Sequence, residues 1–211
     1  MRASPFPRAP RRPLIAALTT AVLATGAAAA VAAPAAAAPD RPATAPSRLL
    51  PLAELSADRL LIADEVAAAK FGTDSPVEDP ARERQVLDAV ARQATELGAD
   101  PAATVRIFRD QIEAGKIVQR GLHRRWEADP SQAPTERPDL SRVRLKINRI
   151  NGELVRAIAE SAAARTAPSC AGRLTAGAVF TVHEKRLDAL HTAALGRSLP
   201  SVCERGPAAT R

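Results

Sequence analysis

The sequence contains no tyrosine, one tryptophan and four phenylalanines, so aromatic residues make up only 2% of its 211 positions. Recognition of single-stranded nucleic acid uses aromatic faces on which bases stack, and this scarcity argues against it despite a formal net charge of +7. Histidine and cysteine are also sparse, at three and two. His123, His183 and His191 show no metal-ligand spacing and read as surface residues, and there is no CxxC pair. The nucleophile elbow GxSxG, the Walker loop and the dinucleotide-binding glycine pattern are all missing. An enzyme built on this chain is therefore expected to work with no nucleophile, no metal and no cofactor. No stretch alternates convincingly with period two, which leaves helices as the expected structure.

What is present begins with four arginines among the first twelve residues, followed by LIAALTTAVLATGAAAAVAAPAAAA, an apolar run ending in small residues. That is the layout of a secretory signal peptide, with cleavage expected near Ala38. The run is dominated by alanine and broken by Pro34, which favours cleavage over an uncleaved membrane anchor and leaves no stable membrane association afterwards. Arg11 and Arg12 hint at twin-arginine export, but the residues after them give little support. Residues 1–38 hold four arginines and no acids, so the remaining 173 residues carry 26 basic against 23 acidic side chains, a net +3. The basic character belongs largely to the signal, and the expected localisation is secreted, periplasmic or cell-envelope. Both cysteines, Cys170 and Cys203, lie in the exported part and are expected to form a disulfide, the alternative being a free thiol with no histidine in an obvious pairing arrangement.

Residues 39–50 are rich in Pro, Ala and Ser and read as a flexible leader, 51–205 as one all-α domain, and 206–211 as a tail. Helices are expected over about 51–71, 80–97, 101–128, 140–165 and 171–195, giving a single helical bundle of about five to six helices. Asp79, Asp100 and Asp139 each stand where a helix starts, the first two followed directly by proline. DPSQAPTERPD forms a loop, and GRSLPSVC can return Cys203 toward the start of the last helix.

Polar residues then fall where apolar ones belong. At about 100° per residue from Arg59, Ile62 lies near 300°, Ala63 near 40°, Val66 near 340° and Lys70 near 20°, so both cations sit in the helix's greasy stripe. Removing a cation from water without a partner is costly, so Arg59 and Lys70 call for an acid, a carbonyl or an anionic ligand. Gln119 lies in the centre of the stripe formed by Phe108, Ile112, Leu122 and Trp126, with Gly115 one turn earlier leaving room beside it. Alone, a buried glutamine most often bonds a buried carbonyl. Arg144 borders the stripe of Val143, Ile147 and Leu154, where a snorkelling arginine is the ordinary explanation. Arg82 sits in the first turn of its helix, where the helix dipole disfavours a cation and Asp79 can offset it. Together these residues describe a pocket lined by donors and short of acids, suited to a small polycarboxylate.

In this order and spacing the chain resembles the exported all-helical chorismate mutases, type II, and the mycobacterial secreted members in particular. The resemblance runs from about Leu52 to Cys203 and is carried by Arg59 with Lys70, by VEDPAR, by FRDQIEAGKIVQ ending in Gln119, by PDLSRVR ending in Arg144, and by APSCA with its distant partner cysteine. It implies rearrangement of chorismate to prephenate with no cofactor, Arg59, Arg82 and Arg144 holding the dianion, Lys70 and Gln119 facing the ether oxygen, and Asp79 and Gly115 lining the site. It also implies a homodimer with each site built within one chain. Two departures stand out: mycobacterial relatives carry Glu at the position of Gln119, and Gly115 stands where relatives usually carry a Ser or Thr hydroxyl. The competing class is an exported non-enzymatic helical module that binds a small dicarboxylate or a protein partner, which loss of chorismate absorbance would tell apart.

Overall fold

The computed structural model describes residues 48–204; the expected signal peptide, most of the leader and the tail 206–211 lie outside the described residues. Seven α-helices and one 3₁₀ turn are found there, with no strand: α1 Leu50–Lys70, α2 Pro80–Glu96, α3 Pro101–Ala128, α4 Leu140–Glu160, α5 Ala162–Thr166, α6 Cys170–Glu184 and α7 Ala189–Ser198, the 3₁₀ turn Pro130–Gln132 lying between α3 and α4. Packing against the helix starts before its first turn, since Leu49 is fully buried.

Helix α1 is the spine of the bundle and packs against α3, α4, α6 and α7. Its small residues Ala53, Ala57, Ala63 and Ala67 are buried, which lets neighbouring helices approach on several sides. The 28-residue α3, about 42 Å long, lies beside it and carries α2 and α7 on its other faces. Leu52, Leu60, Ile107, Phe108, Val118, Leu154, Ile158 and Leu195 fill the space between these helices. Phe71, His123 and Trp126 close one end as an aromatic cluster, with Phe71 set edge-on to Trp126 at 5.2 Å and His123 Nε2 donating to the Ala67 carbonyl at 2.9 Å.

The start signals act through aspartate. Asp79, Asp100 and Asp139 accept backbone N–H bonds from Arg82, Ala102 and Ser141, satisfying donors that have no partner within the helix. A fourth aspartate, Asp188, does the same for His191 at the start of α7, a start that the sequence pattern had merged into a continuous helix over 171–195. The chain breaks there because Arg186 adopts a left-handed φ of 52°. The Leu187 N–H then bonds the Val182 carbonyl at 3.0 Å, and the Arg186 N–H bonds that of His183 at 3.3 Å. The same pair of bonds ends α2 at Gly98, φ 69°, where glycine announces it. The fourth expected helix is likewise interrupted, at Ser161, whose hydroxyl donates back to the Ile158 carbonyl at 3.2 Å and competes with the helical ladder.

Cys170 and Cys203 form the expected disulfide, tying the start of α6 to the segment after α7 with Cα atoms 5.8 Å apart. Arg165, 2% exposed, holds the same segment from beneath: Nε donates to the Val202 carbonyl at 3.0 Å, and a terminal nitrogen pairs with Glu204 at 2.7 Å. His191 corrects the expectation of three surface histidines. It is buried between Asp64 of α1 and Asp188, its Nε2 2.9 Å from the first and its Nδ1 2.7 Å from the second.

Candidate functional site

One cleft is enclosed by α1, the start of α2, the middle of α3 and the first half of α4. Arg59, Lys70, Asp79, Arg82, Gly115, Gln119 and Arg144 all line it. The helical periodicity explains how: α1 turns Arg59, Ala63, Val66 and Lys70 to one side, and α3 turns Ile112, Gly115 and Gln119 to face them.

Lys70 is only 8% exposed, and its Nζ donates to the Pro76 carbonyl at 2.7 Å and, more loosely, to that of Val77 at 3.4 Å. An ammonium has three donors, so one remains for the cleft. Burial pulls its pKa below the usual lysine value, Arg144 adds to this, and Asp79 opposes it. Gln119, which lines the same cleft from α3, is equally buried; its Nε2 donates to the Gly115 carbonyl at 3.3 Å, which leaves a second N–H free, and its Oε1 is buried without a partner among the described residues. A Cβ added at Gly115 would meet nothing within 4 Å, so the space beside Gln119 is open.

The arginines differ in how they are held. Arg59 places a terminal nitrogen on Asn151 Oδ1 and its guanidinium 5.5 Å from the Phe108 ring centroid, while its Nε is buried and unpartnered. Burial alone lowers its pKa to about 10. Arg82 bonds Asn148 Oδ1 at 3.0 Å and Gln85 Oε1 at 3.3 Å. Arg144 has no hydrogen bond or ion pair among the described residues, and its charge is felt at Lys70. Two acids do reach the cleft, where few were expected, and both are engaged. Asp79 caps α2, and Glu83 pairs with Lys116 at 2.9 Å. Lys116 also takes Glu113 at 2.8 Å; burial lowers its pKa, but the two glutamates more than offset this and raise it.

Arg59, Arg82 and Arg144 thus line one cleft and are held, among the described residues, by neutral oxygens or by nothing, and a buried ammonium and a primary amide line it with them. Such a cleft can attract a compact dianion, and Lys70 and Gln119 offer it spare N–H donors.

Residues 51–120 match the family pattern of chorismate mutase type II. The secreted chorismate mutase of Mycobacterium tuberculosis is 34% identical over 79% of this chain and 84% of its own length. That of Mycolicibacterium smegmatis is 36% identical over 78% of this chain and 91% of its own. The chain belongs to the chorismate mutase family. Among solved structures, the chorismate mutase of Burkholderia phymatum superposes with a TM-score of 0.71 at 32% identity, covering 75% of this chain and 98% of that one. The relatives also carry the word secreted in their names, in line with an exported protein.

Three polar residues of this mutase's cleft escaped the sequence reading. Lys116 and Glu83 look like an ordinary surface pair until α2 and α3 are packed together. Gln111, 1% exposed, donates Nε2 to Ser56 Oγ at 2.7 Å and to the Ser198 carbonyl at 3.1 Å, leaving Oε1 unpartnered at the cleft wall. Its place at the edge of the α3 stripe, about 240° from Val105, was the only signal.

Proposed function

We propose that this mutase rearranges chorismate to prephenate with Arg59, Arg82 and Arg144 gripping the two carboxylates while Lys70 and Gln119 donate to the ether oxygen. The reaction breaks one C–O bond and forms one C–C bond within a single molecule, so nothing leaves and no proton need be transferred. Catalysis is then a matter of holding the reactive conformer and meeting the charge that develops on oxygen. The observation that carries this reading is a buried ammonium and a buried amide lining one cleft, each with a donor to spare, beside Arg59, Arg82 and Arg144, which no carboxylate neutralises among the described residues. The layout of residues 1–38 supports export by a cleaved signal peptide.

The test is loss of chorismate absorbance with purified chain lacking residues 1–38. Lys70→Ala is expected to cut turnover by about 10²- to 10³-fold with a smaller change in KM, the usual effect of removing a preorganised donor to a growing oxyanion. Arg144→Ala is expected chiefly to raise KM. Near-parental turnover in Lys70→Ala would overturn the assignment of roles, and no turnover in the parent would leave a dicarboxylate-binding module.

A further inference from the structure

Among the described residues, the side chains of Arg165, Lys116, Lys70 and Arg59 carry buried or largely buried charges, and they divide by partner. Arg165 has Glu204 at 2.7 Å, and Lys116 has Glu83 and Glu113. Among the described residues Lys70 has only backbone carbonyls as hydrogen-bond partners, and Arg59 has only the amide oxygen of Asn151. Of the cations that line the cleft, Lys116 receives carboxylates, whereas Lys70 and Arg59 receive neutral acceptors. Asn151 is itself buried, at 6% exposure, and comes from α4, 92 positions along the chain. An aspartate has nearly the same shape and would bond a guanidinium more strongly, so stability alone gives no reason for an amide there.

We infer that Asn151 is a positioning residue for substrate binding: it fixes the direction of the Arg59 guanidinium through a neutral oxygen and so leaves its charge for a carboxylate of the ligand. The inference rests on the reading of Arg59 given above. Orientation and charge are separated, since Asn151 and the Phe108 ring hold the group in place and neither neutralises it. The other charged groups lining this cleft are Lys70, Arg82, Lys116 and Arg144, with Asp79 and Glu83 already engaged. A new carboxylate at position 151 would therefore take Arg59 as its partner.

The experiment compares Asn151→Asp and Asn151→Ala with the parent in chorismate turnover and in thermal melting. Asn151→Asp keeps the acceptor and is expected to melt at or above the parent, yet to raise KM about ten- to a hundred-fold, more than Asn151→Ala does, because the ligand must now compete with a charge-assisted bond. A structural role predicts the opposite order, with Asp close to the parent and Ala worse, and that result overturns the inference. Should Asn151→Asp fail to fold, Asn151→Leu decides: similar in volume and lacking the acceptor, it is expected to raise KM at least about threefold, and an unchanged KM refutes the proposal. Arg59→Ala is the control. If it binds chorismate like the parent, the reading of Arg59 itself falls. If it is impaired while Asn151→Asp is not, only the role of Asn151 falls.

Discussion

His191 offers a prediction whose size follows from the structure. Hydrogen bonding to Asp64 raises its pKa, burial opposes this, and Asp188 adds to the rise, so that the value is pushed from 6.5 up to about 9. If fully expressed, a rise from 6.5 to about 9 corresponds to roughly 3.4 kcal/mol of folding free energy. Both carboxylates are nearly half exposed, at 45% and 47%, so water screens the pair, and about 1–2 kcal/mol is the expected contribution. Asp188 is lowered in its turn, burial being outweighed by the bonds from His191 and the charge of Arg125, but this reports the same pair and is not added. The folded state binds the proton more tightly than the unfolded chain. The contribution is therefore complete below about pH 6.5, declines between 6.5 and 9, and is gone above about 9. Urea unfolding of the parent and of His191→Gln at pH 6.0, 7.5 and 9.5 reads this directly. The parent is expected to exceed the variant by about 1–2 kcal/mol at the lowest pH, a melting difference of about 2–8 °C, and the gap is expected to close at the highest. A gap that stays constant across the range would show that His191 acts by packing alone.

Turnover in the parent is expected to hold from about pH 5 to 8, because an amide at position 119 has no proton to lose. Gln119→Glu is expected to be active at acid pH and to fail as the carboxyl ionises beside the developing oxyanion. Matching pH profiles under saturating chorismate would remove Gln119 from the ether oxygen and return it to the structural role that its bond to the Gly115 carbonyl already permits. Reduction of Cys170–Cys203, which spans 33 positions, is expected to cost about 3–4 kcal/mol and to lower the melting point markedly, with turnover at 25 °C retained. An unchanged melt after complete reduction would mean that Arg165 and its partners hold the C-terminal segment without help.

The helical stretches were legible where a local rule governs them. Asp79, Asp100 and Asp139 announce three helices because a short carboxylate bonds the backbone two or three residues on, and Gly98 announces an ending because it relieves a left-handed turn. Arg186 adopts the same left-handed turn with no residue type to declare it, so two helices were read as one. The cleft cations were legible for a related reason: Arg59 and Lys70 break the pattern of their own helix. Lys116 and His191 stand out little on their own helices, and Asn151, though it falls in the stripe of Ile147 and Leu154, does not declare its partner. Asn151 meets Arg59 across 92 positions and His191 meets Asp64 across 127, and periodicity within one helix carries no record of such partners.

Arg59 and Lys70 sit eleven positions apart on one unbroken helix, about 16 Å along its axis. A helix neither stretches nor compresses under ordinary loads, so α1 works as a ruler whose two marks, on the proposed reading, are a carboxylate grip and an oxygen-facing amine. Deleting one residue between the marks would shorten the interval by only about 1.5 Å but would swing Lys70 about 100° around the axis, out of the cleft. Length within that interval is thus quantised, with no graded intermediate between a working site and none. Insertions and deletions belong instead to a connecting stretch such as residues 129–138, whereas residues 72–78 are tied to the site because the Pro76 carbonyl holds the Lys70 ammonium.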